Sequence, residues 1–67
     1  MLRDTGLTLE RERWAEAAYV LCRHGDVAPA IIAERIGALA RAGDMAGVER
    51  WREIAPRVDQ LTRGTVQ

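Results

Sequence analysis

The side chains with the most reactive chemistry lie in one short run, Cys22, His24 and Asp26. A thiol, an imidazole and a carboxylate can all bind a metal ion, and a cysteine near a histidine can act as a nucleophilic pair. The spacing argues against both uses, because residues two apart on a helix do not share a face. A zinc site also needs three or four ligands, and the chain has one histidine and one cysteine. We therefore predict no metal site, a helix-terminal role for His24 and a packing role for Cys22.

The amino-acid sequence also lacks a serine-based catalytic set and a phosphate-binding loop. The chain contains no serine, so a Ser-His-Asp set cannot be assembled. The glycines Gly43 and Gly47 are not followed by the lysine and the serine or threonine of a phosphate-binding loop. With a single cysteine there can be no internal disulfide. We predict that the protein is not an enzyme and binds no cofactor.

The composition describes one small neutral domain. The 67 residues include ten basic and ten acidic side chains, which gives a formal net charge of zero. A chain of this size buries only about 60% of the surface that it exposes when unfolded, so its own core is marginal. Zero net charge disfavours nonspecific attraction to nucleic acid. The N-terminus lacks the apolar core of a signal peptide, and no run approaches the roughly 20 residues of a membrane span. We expect a cytoplasmic protein with no membrane contact.

Apolar residues recur at three- and four-residue intervals, which predicts an all-α fold. Glycines mark the ends of the helices, and Pro56 predicts a kink or a break between Arg52 and Pro56. Helices two and three are expected to pack as an antiparallel pair, with helix one across them. The predicted bounds are a single domain over 1–67, helices at about 9–23, 27–42 and 45–62, and flexible ends at 1–8 and 63–67.

Capping residues support these bounds. Thr8, Asp26 and Asp44 each precede a predicted helix, where a side-chain oxygen can accept a hydrogen bond from a first-turn amide. Gly25 and Gly43 follow the first two helices and can adopt the left-handed conformation that ends a helix. The two Gly-Asp pairs therefore predict two short turns.

The inner stripes of the three helices define a predicted core. The two tryptophans are its largest members, and truncating a buried one should cost about 3–5 kcal/mol. Tryptophan can alternatively anchor an interface. The predicted core anchors are Trp14, Leu21, Ile32, Ile36, Leu39, Val48, Trp51 and Val58.

Helix one is apolar around more of its circumference than the other two helices. Between Trp14 and Cys22 only Glu16 is charged. A stripe this wide exceeds one face, so we predict that a second protein chain covers part of it, most simply as a homodimer. Alternatively, the alanines and the tyrosine simply lie on a solvent-exposed face. The predicted interface consists of Ala15, Tyr19, Val20 and Cys22.

Helix three offers an alternative function, because its arginines could contact nucleic acid. The acidic residues Glu49, Glu53 and Asp59 are interleaved with these arginines and would face the phosphates, which makes this the weaker hypothesis. Helix two is also longer than the first helix of a helix-turn-helix unit. The arginines concerned are Arg50, Arg52, Arg57 and Arg63.

An ordered set of short motifs gives the chain a family resemblance over about residues 9–61. The set resembles short, uncharacterised helical proteins of alphaproteobacteria, which form a family of unknown function. The resemblance implies a small bacterial cytoplasmic protein and carries no activity, cofactor or catalytic residue. The motifs are Arg13-Trp14, His24-Gly25, Ala28-Pro29, Ile32-Ala33-Glu34, Ile36-Gly37, Ala42-Gly43-Asp44, Gly47-Val48, Trp51, Ile54-Ala55 and Asp59-Gln60-Leu61.

Overall fold

The fold is all-α, as predicted. A computed structural model describes the backbone of residues 2–66 and the side chains of residues 8–64. Over this range there is no strand. The elements are α1 (Leu2–His24), a 3-10 turn (Gly25–Val27), α2 (Ala28–Ala42) and α3 (Met45–Val66). The inner boundaries of the helices agree with the predicted ones to within one residue.

The junction between α1 and α2 differs from the predicted capped turn. The 3-10 turn joins the two helices directly, so the first two predicted helices form one long bent helical segment. Gly25 has the predicted left-handed conformation, with φ of 56°. The cap predicted at Asp26 is wrong, because Val27 holds the N-cap position of α2 and no side chain caps it. The turn satisfies its own backbone, since the Ala28 amide donates to the Gly25 carbonyl.

The start of α1 also lies earlier than predicted. The helix begins at Leu2, so Thr8 lies inside it and the predicted cap at Thr8 is wrong. The described parts of the two ends that were predicted to be flexible are helical, because α3 likewise extends to Val66. Met1 and Gln67 lie outside the described residues.

The turn between α2 and α3 confirms the second Gly-Asp prediction. Gly43 is left-handed with φ of 80°, and its amide donates to the Ala40 carbonyl at 3.1 Å. The Asp44 amide donates to the Leu39 carbonyl at 2.9 Å. The Asp44 carboxylate in turn accepts the Gly47 amide at 2.9 Å and caps α3. A Cβ at Gly47 would lie 2.9 Å from the Asp44 carboxylate and 3.2 Å from Leu39, so a larger residue here would displace the carboxylate that caps α3.

Helix α3 runs without interruption through Pro56, so the break considered near this residue is absent. Proline removes one backbone hydrogen bond, but the flanking residues Ile54 and Val58 are each only 1% exposed. Their packing holds both sides of the proline in one helix.

The centre of the fold is α3, which packs along both α1 and α2, whereas those two helices contact each other much less. Helix one therefore lies beside α3 and does not cross a pair formed by helices two and three. The Cα positions extend over 38 × 37 × 15 Å, so the molecule is thin. A thickness of 15 Å leaves room for no more than two layers of helices, whose axes pack about 8–10 Å apart. Much of each helix therefore remains uncovered.

The core consists of small and β-branched side chains at the places where α3 meets α1 and α2. Three predicted anchors, Ile32, Val48 and Val58, are buried. The five others are half-buried, namely Trp14, Leu21, Ile36, Leu39 and Trp51. The core also includes residues that we had not predicted as anchors, namely Ala17, Val20, Ala28 and Ile54. Small side chains bury completely here because the helices approach closely at these positions.

Candidate functional site

Charged side chains bridge α1 and α3 along one side of their contact, which we call the polar seam (Glu10, Arg13, Glu16, Arg50, Glu53 and Arg57). The Arg13 guanidinium donates to the Glu53 carboxylate at 2.7 Å and to the Glu16 carboxylate at 3.3 Å. Arg50 forms an ion pair with the same Glu16. These contacts link the two helices through side chains that alternate in charge.

The other end of the polar seam is built around Trp14. Its indole N–H donates to the Glu10 carboxylate at 2.9 Å, and Arg57 donates to both oxygens of that carboxylate at 3.1 Å. The Arg57 guanidinium also lies 5.6 Å from the centre of the Trp14 ring, within cation–π range. Trp14 is therefore held by polar contacts as well as by packing.

Hydrogen bonds in the polar seam shift two pKa values. The indole N–H of Trp14, followed by Arg57, lowers the pKa of Glu10 below its ordinary value. The hydrogen bond to Glu53 raises the pKa of Arg13. Both shifts favour the charged forms that hold α1 against α3.

The polar seam predicts a dependence of stability on pH. Because the folded state lowers the pKa of Glu10, this carboxylate contributes its full stabilisation above its unfolded pKa, near 4.5. The contribution is lost as the pH falls through the lower folded pKa. We expect Glu10→Gln to unfold at a lower temperature than the wild type at neutral pH, and this difference to vanish in acid. Thermal unfolding followed by circular dichroism across this range measures it, and a difference that persists in acid would contradict the assignment.

Three of the four arginines that were predicted to contact nucleic acid form ion pairs within the chain. Of the four candidates, Arg50 and Arg57 pair with carboxylates of α1, and Arg63 pairs with Asp59 one turn earlier in α3. Arg52 is exposed and forms no ion pair within the described residues. The four side chains do not form a free basic patch.

The opposite side of α1 carries an exposed apolar surface, which we call the outer stripe (Ala15, Ala18, Tyr19 and Cys22). All four residues are exposed, and Tyr19 is 63% exposed. Val20 had been predicted at this interface, but it lies in the intramolecular core with 5% exposure. Ala18, which was not among the predicted interface residues, is also exposed here. The outer stripe therefore includes three of the four residues that were predicted at the interface.

A groove of about 580 Å³ opens where α1, α2 and α3 meet, and we call it the arginine groove. Its apolar lining comes from all three helices, and the basic side chains stand around this lining. Tyr19 and Ala15 lie at its border with the outer stripe. The residues that line it are Ala15, Glu16, Tyr19, Val20, Arg23, His24, Ile31, Arg35, Arg50, Trp51 and Ile54.

Two arginines of the groove are held by aromatic rings. The Arg23 guanidinium lies 6.0 Å from the centre of the Tyr19 ring, and that of Arg35 lies 5.6 Å from the Trp51 ring. Neither arginine forms an ion pair with a described residue, whereas Arg50 is neutralised by Glu16. The groove therefore carries two unpaired guanidinium groups beside an apolar lining.

The sequence analysis missed this groove, because neither Arg23 nor Arg35 was among the predicted site residues. Their common feature is an aromatic partner. Tyr19 lies four residues before Arg23, a spacing that places both on one helix face. Trp51 is on a different helix from Arg35, so no local pattern could have joined them.

The comparison with protein families confirms one part of the resemblance described above, the family of unknown function. A family of unknown function, DUF6961, matches residues 9–65. The chain belongs to this family. The matched segment contains the polar seam, the outer stripe and the arginine groove. No curated protein and no solved structure shows significant similarity to the chain.

The remaining reactive residues of this DUF6961 chain are dispersed. Cys22 is exposed on the outer stripe, and His24 lines the arginine groove. Within the described residues no three histidine, cysteine, aspartate or glutamate side chains are grouped so that they could hold a metal ion. Nor does any helix in this part of the chain combine the length and apolar content needed to cross a membrane.

Proposed function

We propose that this chain is a non-enzymatic interaction module that self-associates through the outer stripe of α1. The observation that carries the proposal is the 63% exposure of Tyr19 among exposed alanines and a cysteine. A large aromatic side chain on an uncharged helix face is a typical contact residue of a protein interface. A bacterial, cytoplasmic setting belongs to the same proposal.

A second copy of the chain is the proposed occupant because the domain is small and thin. A single core of this size rarely supplies more than about 3–5 kcal/mol, and association is one of the usual remedies. Small side chains at Ala15, Ala18 and Cys22 permit a close approach between two α1 helices. A two-fold contact would use the same stripe on both copies.

Binding of nucleic acid through the arginines of α3 is the weaker proposal. A basic surface that binds phosphates needs arginines that are free to neutralise them. Arg50, Arg57 and Arg63 are each engaged by a carboxylate of the chain itself. We therefore favour a protein partner.

Light scattering coupled to gel filtration tests the self-association. The wild type is expected to elute at about twice the monomer mass of 7.5 kDa at tens of micromolar. Tyr19→Glu and Ala18→Glu should each give folded monomers, because a charge would be buried in the contact. Met45→Glu is the matched control, since Met45 is 60% exposed but lies on α3, outside the outer stripe. A wild type that is folded and strictly monomeric, or a dimer that survives both substitutions, would overturn the proposal.

A further inference from the structure

We propose that the arginine groove binds an acidic amphipathic helix from a partner protein. This inference goes beyond self-association, because the groove is a different surface from the outer stripe and includes residues of α2 and α3. Tyr19 and Ala15 are the border that the two surfaces share.

The lining of the groove is suited to the apolar face of a helix. Val20 and Ile54 are core residues that reach the groove, and Ile31 and Trp51 are half-buried beside them. An amphipathic helix binds such a groove by inserting apolar side chains at three- and four-residue intervals. The α1 residues from Ala15 to Arg23 line one wall over about two helical turns.

The charges of the groove select an acidic partner. In the polar seam each arginine has a carboxylate partner within the chain. In the groove, Arg23 and Arg35 instead stack on Tyr19 and Trp51 and form no ion pair with the described residues. Stacking orients a guanidinium while its N–H groups stay available to a carboxylate. Carboxylates on both flanks of a partner helix could form ion pairs with Arg23 and Arg35.

Charge and lining together disfavour the other occupants. A second copy would offer its outer stripe, which carries no carboxylate that could pair with Arg23 and Arg35. A nucleic acid has no row of apolar side chains to cover Val20, Ile31 and Ile54 in the groove lining. An acidic helix matches both the apolar lining and the two unpaired cations.

Fluorescence anisotropy with a defined peptide tests the proposal. The probe is a labelled synthetic helix with a leucine stripe at three- and four-residue spacing, flanked by glutamates, and the comparison peptide carries lysines in place of the glutamates. The full chain should bind the glutamate peptide saturably at low salt and should not bind the lysine peptide. Arg35→Gln should weaken binding about tenfold, the size of one lost charge-assisted hydrogen bond.

Arg41→Gln is the matched control, because Arg41 is an exposed arginine of α2 that does not line the groove. It removes the same charge from the same helix and should leave the affinity unchanged. Circular dichroism checks that both variants are folded, which is expected since both side chains lie on the surface. Equal binding by the wild type and Arg35→Gln would overturn the proposal, as would the absence of saturable binding.

Two further outcomes would assign the groove to a different occupant and also overturn the proposal. The first is binding of a single-stranded oligonucleotide that depends on Arg35 when the glutamate peptide does not bind. The second is a wild-type dimer that Arg35→Gln converts to monomers. A dimer through the outer stripe responds instead to Ala18→Glu and not to Arg35→Gln, so failure of the groove and failure of the proposed self-association are distinguishable.

Discussion

Replacing Ile54 by alanine is expected to unfold most of the domain. Ile54 is 1% exposed and lies in the core cluster of α3 with residues of α1 and α2. Truncating a buried isoleucine to alanine typically costs about 2–5 kcal/mol, which is as large as the whole stability expected of a core this small. Circular dichroism at ambient temperature should show loss of most of the helical signal, and urea titration should show little or no folded baseline.

The control for this variant is Met45→Ala on the same helix. Met45 is 60% exposed, so its truncation leaves no cavity and should change the free energy of unfolding by less than about 0.5 kcal/mol. If Ile54→Ala is as stable as Met45→Ala, the packing of α3 against the other two helices is not as described.

Enlarging Ala17 to leucine is expected to destabilise the fold through the opposite mechanism. Ala17 is 0% exposed, because a methyl group fills the space where α1 meets the core. Extra methylene groups in a well-packed site force side chains off their rotamers and shift the backbone, which costs about 1–3 kcal/mol. The expected result is a lower urea midpoint with an unchanged slope, measured by circular dichroism.

Ala18→Leu is the matched control for this substitution. The two alanines are adjacent on α1, yet Ala18 is exposed, so a leucine there should leave the free energy of unfolding within about 0.5 kcal/mol in dilute solution. Equal destabilisation by both substitutions would show that α1 is rotated about its axis relative to the arrangement described.

The predictions for Ile54 and Ala17 test the packing of α3 against α1, and this packing bears on the function because α1 has two different sides. One side of α1 supplies Ala17 and Val20 to the core, while Glu10 and Arg13 bind α3 through the polar seam. The other side is exposed at Tyr19, where the outer stripe and the arginine groove meet. The rotation of one helix thus decides both stability and the surface offered to partners.

Much of the fold could be predicted from local patterns. A left-handed glycine followed by aspartate marks the turn at Gly43 and Asp44, and both residues act there as expected. The inner boundaries of the helices followed from the same rules, because caps and apolar spacing depend on neighbours within about one turn. The outer ends of α1 and α3 did not, since both helices extend beyond their predicted bounds. The side-chain capping rule failed where the backbone could be satisfied in another way. At Asp26 a 3-10 turn satisfied the backbone without a side chain.

The candidate sites were less predictable, because they depend on contacts between helices. Val20 was predicted at the interface but lies in the core, and Ala18 is exposed although it was not among the predicted interface residues. In a run of consecutive apolar residues the sequence spacing leaves the rotation of the helix undetermined, and packing against α3 selects it. The arginines raised a similar problem, since a free guanidinium and a paired one look identical in the sequence.

The sequence by itself determined an all-α chain with two turns and a small core, since each of these follows from residue types and short spacings. Only the tertiary structure decided which arginines are available. It pairs Arg50 and Arg57 with carboxylates of α1, and it leaves Arg23 and Arg35 within cation–π range of Tyr19 and Trp51 in the arginine groove. The physical reason is that a charge is neutralised by whatever lies within a few ångströms, and here most of those neighbours belong to another helix.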